Sequence, residues 1–131
     1  MIPRISQAPQ VSELTTEFLN TLRQNGFTGD ISSTYADRLT MATDNSIYQL
    51  LPQAVIFPRS TADVTIVARL VDEPRFHSLS LTPRGGGTGT NGQALTEGIV
   101  VDLSRYMKRI IEINPEQRWV KVEAGVIKDE L

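Results

Sequence analysis

The residues best suited to chemistry lie between Pro83 and Leu95, where the chain reads Pro-Arg-Gly-Gly-Gly-Thr-Gly-Thr-Asn-Gly-Gln-Ala-Leu. Five of the nine glycines, namely Gly85, Gly86, Gly87, Gly89 and Gly92, fall in this stretch. Glycine loses more backbone freedom on folding than any other residue. A cluster this dense therefore marks a backbone that must take positive φ angles or come close to something else. The stretch also carries hydroxyls (Thr88, Thr90), amides (Asn91, Gln93) and a cation (Arg84). Successive N–H groups in such a turn can point inward and form a concave anion site. A diphosphate suits that geometry: several N–H groups share its charge, and the missing Cβ atoms let its oxygens approach. Each hydrogen bond to a charged group contributes about 1.5–3 kcal/mol. Arg84 either adds positive charge to the same anion or makes a surface ion pair.

Two familiar phosphate motifs do not fit. Gly87-Thr88-Gly89-Thr90-Asn91-Gly92 has the spacing G-x-G-x-x-G. The dinucleotide-binding version needs a helix directly after the glycines, so that its positive end meets the pyrophosphate. Here only Gln93 to Glu97 separate Gly92 from Gly98 and the next strand, too short a stretch for a crossover helix. The P-loop fails as well, because no Gly-Lys-Ser/Thr follows. A flexible linker is disfavoured by strands abutting on both sides.

Composition removes other chemistries. With no cysteine and one histidine, His77, the 131 residues hold no disulfide, thiolate nucleophile, iron–sulfur ligand or histidine-rich metal site. His77 reads as a surface residue, and no side chain offers a credible general base, so no catalytic residue is assigned. A net charge of −2 and a pI near 5.4 leave no basic stripe for nucleic acid. No run approaches the ~18 apolar residues of a membrane span. Met1 to Gln7 lacks the apolar run of a signal peptide, so a cytoplasmic location is expected. Lys128-Asp129-Glu130-Leu131 spells an ER-retention signal, which is read as chance or as the place where a longer chain was cut.

The elements that must position the loop are legible on both sides of it. Val11, Leu14, Phe18 and Leu22 form one apolar face of a helix predicted from Pro9 to Asn25, with Gly26 just past its end. Ser32 to Thr40 predicts a shorter helix, and Ala42 to Pro52 a loop. Within that loop Asp44, Asn45 and Ser46 are either a turn or a polar wall of a ligand site. Ala54-Val55-Ile56-Phe57 is a continuous apolar run, as expected of a strand buried on both faces. Ser60 to Asp63 carries a helix-start pattern, and Val64, Val67, Ala68 and Val71 continue an apolar face to about Glu73, before Pro74. Leu79 to Thr82 is a second strand running into the glycine loop. Strand, helix and strand make a βαβ unit with parallel strands. Gly98 to Leu103 is a third strand. Arg109–Asn114 and Arg118–Glu123 flank Pro115-Glu116-Gln117 as a hairpin. An exposed apolar patch on that hairpin would betray a missing neighbour. Val126 to Leu131 reads as the first turns of a helix.

Four ordered motifs carry a family resemblance. They are Phe57-Pro58-Arg59-Ser60-Thr61-Ala62-Asp63-Val64, Leu81-Thr82-Pro83-Arg84-Gly85-Gly86-Gly87-Thr88, Val101-Asp102-Leu103-Ser104-Arg105 and Val122-Glu123-Ala124-Gly125-Val126. Together they resemble the first half of the FAD-binding domain of vanillyl-alcohol-oxidase-type (PCMH-type) flavoproteins, and within these the D-2-hydroxyacid dehydrogenase branch that acts on D-lactate, glycolate or D-2-hydroxyglutarate. Thr43-Asp44-Asn45-Ser46-Ile47-Tyr48 and the long N-terminal lead resemble large bacterial members that fuse this domain to a C-terminal iron–sulfur region.

The resemblance implies an α+β fold. Residues 1–53 would be a helical lead. Residues 54–131 would be the first part of the FAD-binding domain: a small βαβ sheet flanked by helices, then the opening hairpin of the second subdomain. It also implies that Arg84, Gly85, Gly86, Gly87, Thr88, Gly89, Thr90, Asn91, Gly92 and Gln93 cradle the FAD diphosphate. Pro58 would sit by the adenine end, with Gly125 and Val126 passing near the cofactor. Some relatives attach the flavin through a histidine at the position of Gly87, so FAD is expected to be non-covalent here. The substrate-binding and proton-abstracting groups would lie beyond Leu131, as would any iron–sulfur cluster. The isolated chain is expected to be inactive. The expected partners are FAD and, through the missing part, a 2-hydroxyacid, with a homo-oligomer open. The alternatives are another oxidase or reductase of the same fold, and a standalone phosphate- or nucleotide-binding module.

Overall fold

The structure, a computed structural model, describes residues 9–131. The leader reading of Met1 to Gln7, and the first residues of the expected lead over 1–53, lie outside the described residues. The fold is α+β. A four-stranded sheet is covered by helices, and a separate two-stranded hairpin follows it.

Helix α1 runs Glu13–Gln24. It starts later than the predicted Pro9 because Ser12 is the cap: its Oγ accepts the Thr15 N–H at 3.1 Å. Gln53 Oε1 accepts from the Ser12 N–H at 2.8 Å and from the Thr15 hydroxyl at 2.9 Å, tying the helix start to the chain just before the next strand. Gly26 takes φ +83° past the helix end, as its type predicts.

The predicted helix from Ser32 to Thr40 is shorter. Asp30–Ser32 is a strand, β1, and the helix α2 covers Tyr35–Thr40 behind a Thr34 cap. Arg38 is buried and fastens the surrounding loops, donating to the carbonyls of Pro52 at 2.6 Å and Pro9 at 2.8 Å. Its burial lowers the guanidinium pKa.

Strand β2 is Ala54–Phe57, as the apolar run predicts, and all four residues are buried. Helix α3 runs Thr61–Val71 behind a Ser60 cap, and Pro74–Phe76 forms a 3₁₀ turn. Strand β3 is Leu81–Arg84, two residues later than predicted. Pro83 stands inside β3, which is an edge strand, where a missing N–H costs no ladder bond. Strand β4 is Ile99–Asp102.

The strand order is β1-β2-β4-β3. The edge strand β1 pairs antiparallel with β2, and β4 pairs parallel with both β2 and β3. The two strands of the predicted βαβ unit therefore run in the same direction, with β4 inserted between them.

Alternation along the strands splits the core in two. Ala54, Ile56, Ile99 and Val101 pack with Phe18, Leu22, Val67, Leu70 and Phe76 from the helical side. Phe18 and Phe76 meet edge to face at 5.1 Å between ring centroids. Val55, Phe57 and Val100 pack on the other face against Met41 and Tyr106. The described part of the lead thus adds a strand to the sheet and a helix to its core.

Strands β5 (Ile110–Asn114) and β6 (Trp119–Val122) form the predicted antiparallel hairpin, with Arg118 at φ +57° in its turn. Ile111 and Ile113 are more than half exposed, so the apolar patch is present. The last residues form only a 3₁₀ turn, Lys128–Glu130, in place of the predicted helix start. No helix among the described residues is long and apolar enough to cross a membrane.

Candidate functional site

Because β2, β4 and β3 are parallel, their C-terminal ends share one edge of the sheet. That edge carries Pro58 and Arg59 after β2, Leu103 to Arg105 after β4, and the glycine stretch after β3. Ligands of open parallel sheets bind at this edge. The Leu103–Arg105 turn is shaped by Asp102. Its Oδ1 accepts from the Ser104 N–H and hydroxyl, both at 2.8 Å, and from the Arg105 N–H at 3.2 Å.

Residues 85–98 cross back to the start of the parallel neighbour β4 without any helix. Such crossovers usually carry one, so the absence of the predicted-against dinucleotide helix is a feature of this loop. Only Gly87 (φ +65°) and Gly92 (φ +74°) take positive φ within it. Gly85 and Gly86 do not. A Cβ on Gly85 would meet nothing within 4 Å, and one on Gly86 only a Thr88 methyl at 3.6 Å. Neither glycine is demanded by the chain's own packing. Both leave open space on the outer side of the turn.

That space is two clefts meeting at Gly85, Gly86 and Thr88. One, of about 480 Å³, is walled by Pro83, Gly85 to Thr90, Gln93 and Ala94. The other, of about 400 Å³, continues to Ser104, Lys108, Ala124 to Ile127 and Lys128. Neither wall includes a carboxylate, and the second brings two ammonium groups. Among the described residues, the amide N–H groups of Gly85 to Thr90 donate no hydrogen bond to the chain. The Asn91 N–H, by contrast, is taken by Gln93 Oε1 at 3.0 Å. A run of free amides on an uncharged or basic wall can hold a phosphate by its oxygens.

The predicted site residues divide accordingly. Gly85, Gly86, Gly87, Thr88, Gly89, Thr90 and Gln93 come together on the first cleft. Asn91 and Gly92 face a smaller depression beside Tyr48 and Leu95. Pro58 is buried at the end of β2 and lines neither cleft. The Arg84 side chain turns away from both clefts and donates from Nη2 to the Thr43 carbonyl at 2.8 Å. Gly125 and Val126 do line the second cleft.

Ser104, Lys108 and Lys128 are additions that sequence reasoning passed over. Ser104 stands inside a quoted motif, but nothing local to either lysine marks it. The Asp44-Asn45-Ser46 stretch is a turn: the Ser46 N–H bonds Asp44 Oδ1 at 2.8 Å. The Ser46 contacts and the nearby Arg84 charge hold the Asp44 carboxyl below its ordinary pKa. Exposed His77 bonds the Asp72 carbonyl through Nε2 at 2.8 Å and stands away from both clefts.

The model of a family described as "FAD binding domain" matches residues 52–131. The chain is 70% identical over its full length to a D-2-hydroxyglutarate dehydrogenase of Escherichia coli (strain K12), and 66% identical to one of Pantoea ananatis (strain AJ13355). It spans 13% of the length of each of these two relatives. In three dimensions it superposes on an alkyldihydroxyacetonephosphate synthase with a TM-score of 0.77, at 16% identity, over 99% of this chain and 26% of that one.

Proposed function

From the premise that the chain belongs to the FAD binding domain family, we propose that it forms the diphosphate-holding wall of an FAD site in a longer D-2-hydroxyacid dehydrogenase. The observation that carries this reading is the pair Gly85 and Gly86. A side chain at either would stand in the open space of the clefts and touch almost nothing of the protein itself. Glycine there serves whatever fills the clefts. The free amides of Gly85 to Thr90 would hold the two phosphates, helped by the Thr88 and Thr90 hydroxyls and the Gln93 amide. Lys108 and Lys128 would add positive charge from the second cleft.

When bound, FAD accepts the hydride that leaves C2 of the hydroxyacid as its hydroxyl becomes the carbonyl of a 2-oxoacid. These residues would bind and orient the cofactor and leave proton abstraction to parts of the longer protein. The substrate class is supported by the names of the relatives above, whose length this chain covers only in part. Non-covalent attachment is supported at Gly87. A Cβ there would lie 2.3 Å from Arg84 Nη2, so the position that carries a flavin-linked histidine in some relatives is filled by a guanidinium. The hairpin β5–β6 would open the second FAD subdomain, whose remaining strands would cover its exposed isoleucines. A cytoplasmic location, a homo-oligomer and an iron–sulfur region further along the longer protein belong to the same reading, and rest on the resemblance.

The test is flavin content. The full-length protein is purified, desalted and scanned for flavin absorption, beside its Gly86→Val variant. The wild type is expected to keep FAD that acid precipitation releases, and the variant to lose it while keeping the thermal midpoint of the wild-type apoprotein. A Gly86→Val protein with full flavin content would overturn the placement.

A further inference from the structure

We propose that Arg84 is a positioning residue that braces the glycine turn against the Thr43–Tyr48 turn, so that cofactor affinity depends on a segment that does not line the main clefts. The inference rests on the FAD reading above for its ligand, but its geometry is independent of it.

Four observations converge. First, the Arg84 guanidinium reaches 41 residues back along the chain to the Thr43 carbonyl, at 2.8 Å from Nη2. Second, the same guanidinium lies over Gly87, 2.3–3.0 Å from where a Cβ would stand, at the residue whose φ of +65° bends the turn. Third, the Thr43–Tyr48 turn also reaches the far end of the loop: a Cβ on Gly92 would lie 3.1 Å from Tyr48 Cδ2 and 3.7 Å from Ser46 Oγ. The glycine loop is thus held near both ends by one neighbouring turn. Fourth, Asp44 Oδ2 and Arg84 Nη1 are both buried and, among the described residues, both lack a hydrogen-bond partner. The two groups have opposite charge and lie close enough for Arg84 to lower the Asp44 pKa.

The bracing turn is itself closed. Thr43 and Gln49 form a bridge, and the Leu50 N–H donates to the Ala42 carbonyl at 3.1 Å. Within it, Asp44 and Ser46 accept the N–H groups of Ser46 and Tyr48. The physical need is clear. A crossover without a helix has no ladder of its own to hold its free amides in place. Ordering them only when the cofactor arrives would subtract from affinity. A rigid turn on the other side of Arg84 supplies that order beforehand.

The brace and a direct phosphate contact by Arg84 predict different results in the full-length protein. Arg84→Gln, Arg84→Lys, Asp44→Asn and the double variant Asp44→Asn/Arg84→Gln are prepared and their thermal midpoints recorded. FAD affinity of each apoprotein is then measured at several salt concentrations. Amide hydrogen exchange is followed without cofactor at the bonded amides of the two segments, those of Ser46, Tyr48 and Leu50 and those of Asn91 and Leu95.

For a brace, Arg84→Gln and Arg84→Lys both weaken FAD binding about tenfold, because a lysine keeps the charge but not the fork. Asp44→Asn also weakens it, and the double variant is no worse than Arg84→Gln within about twofold, as residues acting as one unit are non-additive. Exchange rises in both segments together, and the salt dependence of FAD affinity is that of the wild type. Rescue by Arg84→Lys, a reduced salt dependence in Arg84→Gln, or unchanged exchange in both segments would each overturn the brace. A wild-type protein that binds no FAD would instead overturn the FAD reading, and the exchange pattern would still decide whether the two turns are coupled.

Discussion

The two sheets of this chain are built from the same kind of sequence and end in opposite environments. In β2 and β4 all eight residues are buried; in β5 and β6 no residue is. Ile56 in the first sheet is 0% exposed, whereas Ile113 in the second is 58% exposed. The difference is cover. Helices α1 and α3 close one face of the first sheet, and Met41 and Tyr106 lie on the other. The hairpin has no such lid among the described residues. An apolar run reports that a strand needs covering, and it does not say whether the cover lies in the same stretch of chain.

The sharpest way to break that contrast is to truncate one aromatic in each region. Phe76 is fully buried against Phe18, so Phe76→Ala should cost about 3–5 kcal/mol. That is a large part of the stability of a small domain. Trp119 is 39% exposed on β6, and Trp119→Ala should cost less than about 1 kcal/mol in the 131-residue chain. Denaturant midpoints of the two variants check this, and equal shifts would mean that the hairpin is packed as tightly as the sheet.

Next in size is a buried carboxylate. Asp63 is 1% exposed and accepts from the Thr28 N–H at 2.8 Å, the Thr28 hydroxyl at 2.9 Å and the Arg59 N–H at 2.8 Å. It joins the segment after α1 to the start of α3. Asp63→Ala strands these donors and should cost about 1–3 kcal/mol by the same measurement. A smaller loss would mean that water replaces the carboxylate. On the exposed side, Ile113→Ser should change the stability of this chain by no more than about 0.5 kcal/mol. If the second subdomain covers the hairpin, the same substitution in the longer protein should cost about 1.5–3 kcal/mol. Equal costs at the two lengths would remove the proposed neighbour.

These regions also mark where sequence reading succeeds. Strand β2, the α3 cap at Ser60 and the hairpin are legible because each rests on local signals: an unbroken apolar run, a hydroxyl before a helical face, a turn between two short strands. Strand β1 is not, because Asp30-Ile31-Ser32 offers one apolar residue and draws its pairing from β2. Strand β3 runs on through Pro83, whose position at a sheet edge no local pattern announces. At the site, the glycine cluster marks the loop but not the reason for each glycine. Gly87 answers to Arg84 and its own φ, whereas Gly85 and Gly86 answer to open space. Lys108 and Lys128 reach one cleft only through the fold of the hairpin between them. The reach of Arg84 to Thr43 is equally a product of tertiary structure.

The smallest effect tests the one strong polar contact that the hairpin owns. Glu123 is buried at the end of β6, where Oε2 accepts the Arg109 N–H at 2.9 Å and Oε1 accepts from Arg109 Nε at 2.9 Å and Nη2 at 2.7 Å. The Arg109 guanidinium, and then its backbone N–H, hold the Glu123 carboxyl below its ordinary value of 4.5. A carboxylate with a lowered folded pKa adds stability that is present in full above the unfolded pKa and is lost as pH falls through the folded one. The hairpin should therefore loosen only below about pH 4.5, and Glu123→Gln should flatten that dependence. Trp119, the single tryptophan, stands on β6 and reports on this sheet by fluorescence, while circular dichroism follows the helices that cover the other. Asp30 and Asp37, held low by Tyr106 and by Ser32 respectively, give the first sheet an acid sensitivity of its own. Comparison with Glu123→Gln separates the two. A tryptophan signal with the same acid midpoint in Glu123→Gln as in wild type would show that the two sheets open as one unit, and that the hairpin is less independent of the covered sheet than its exposure implies.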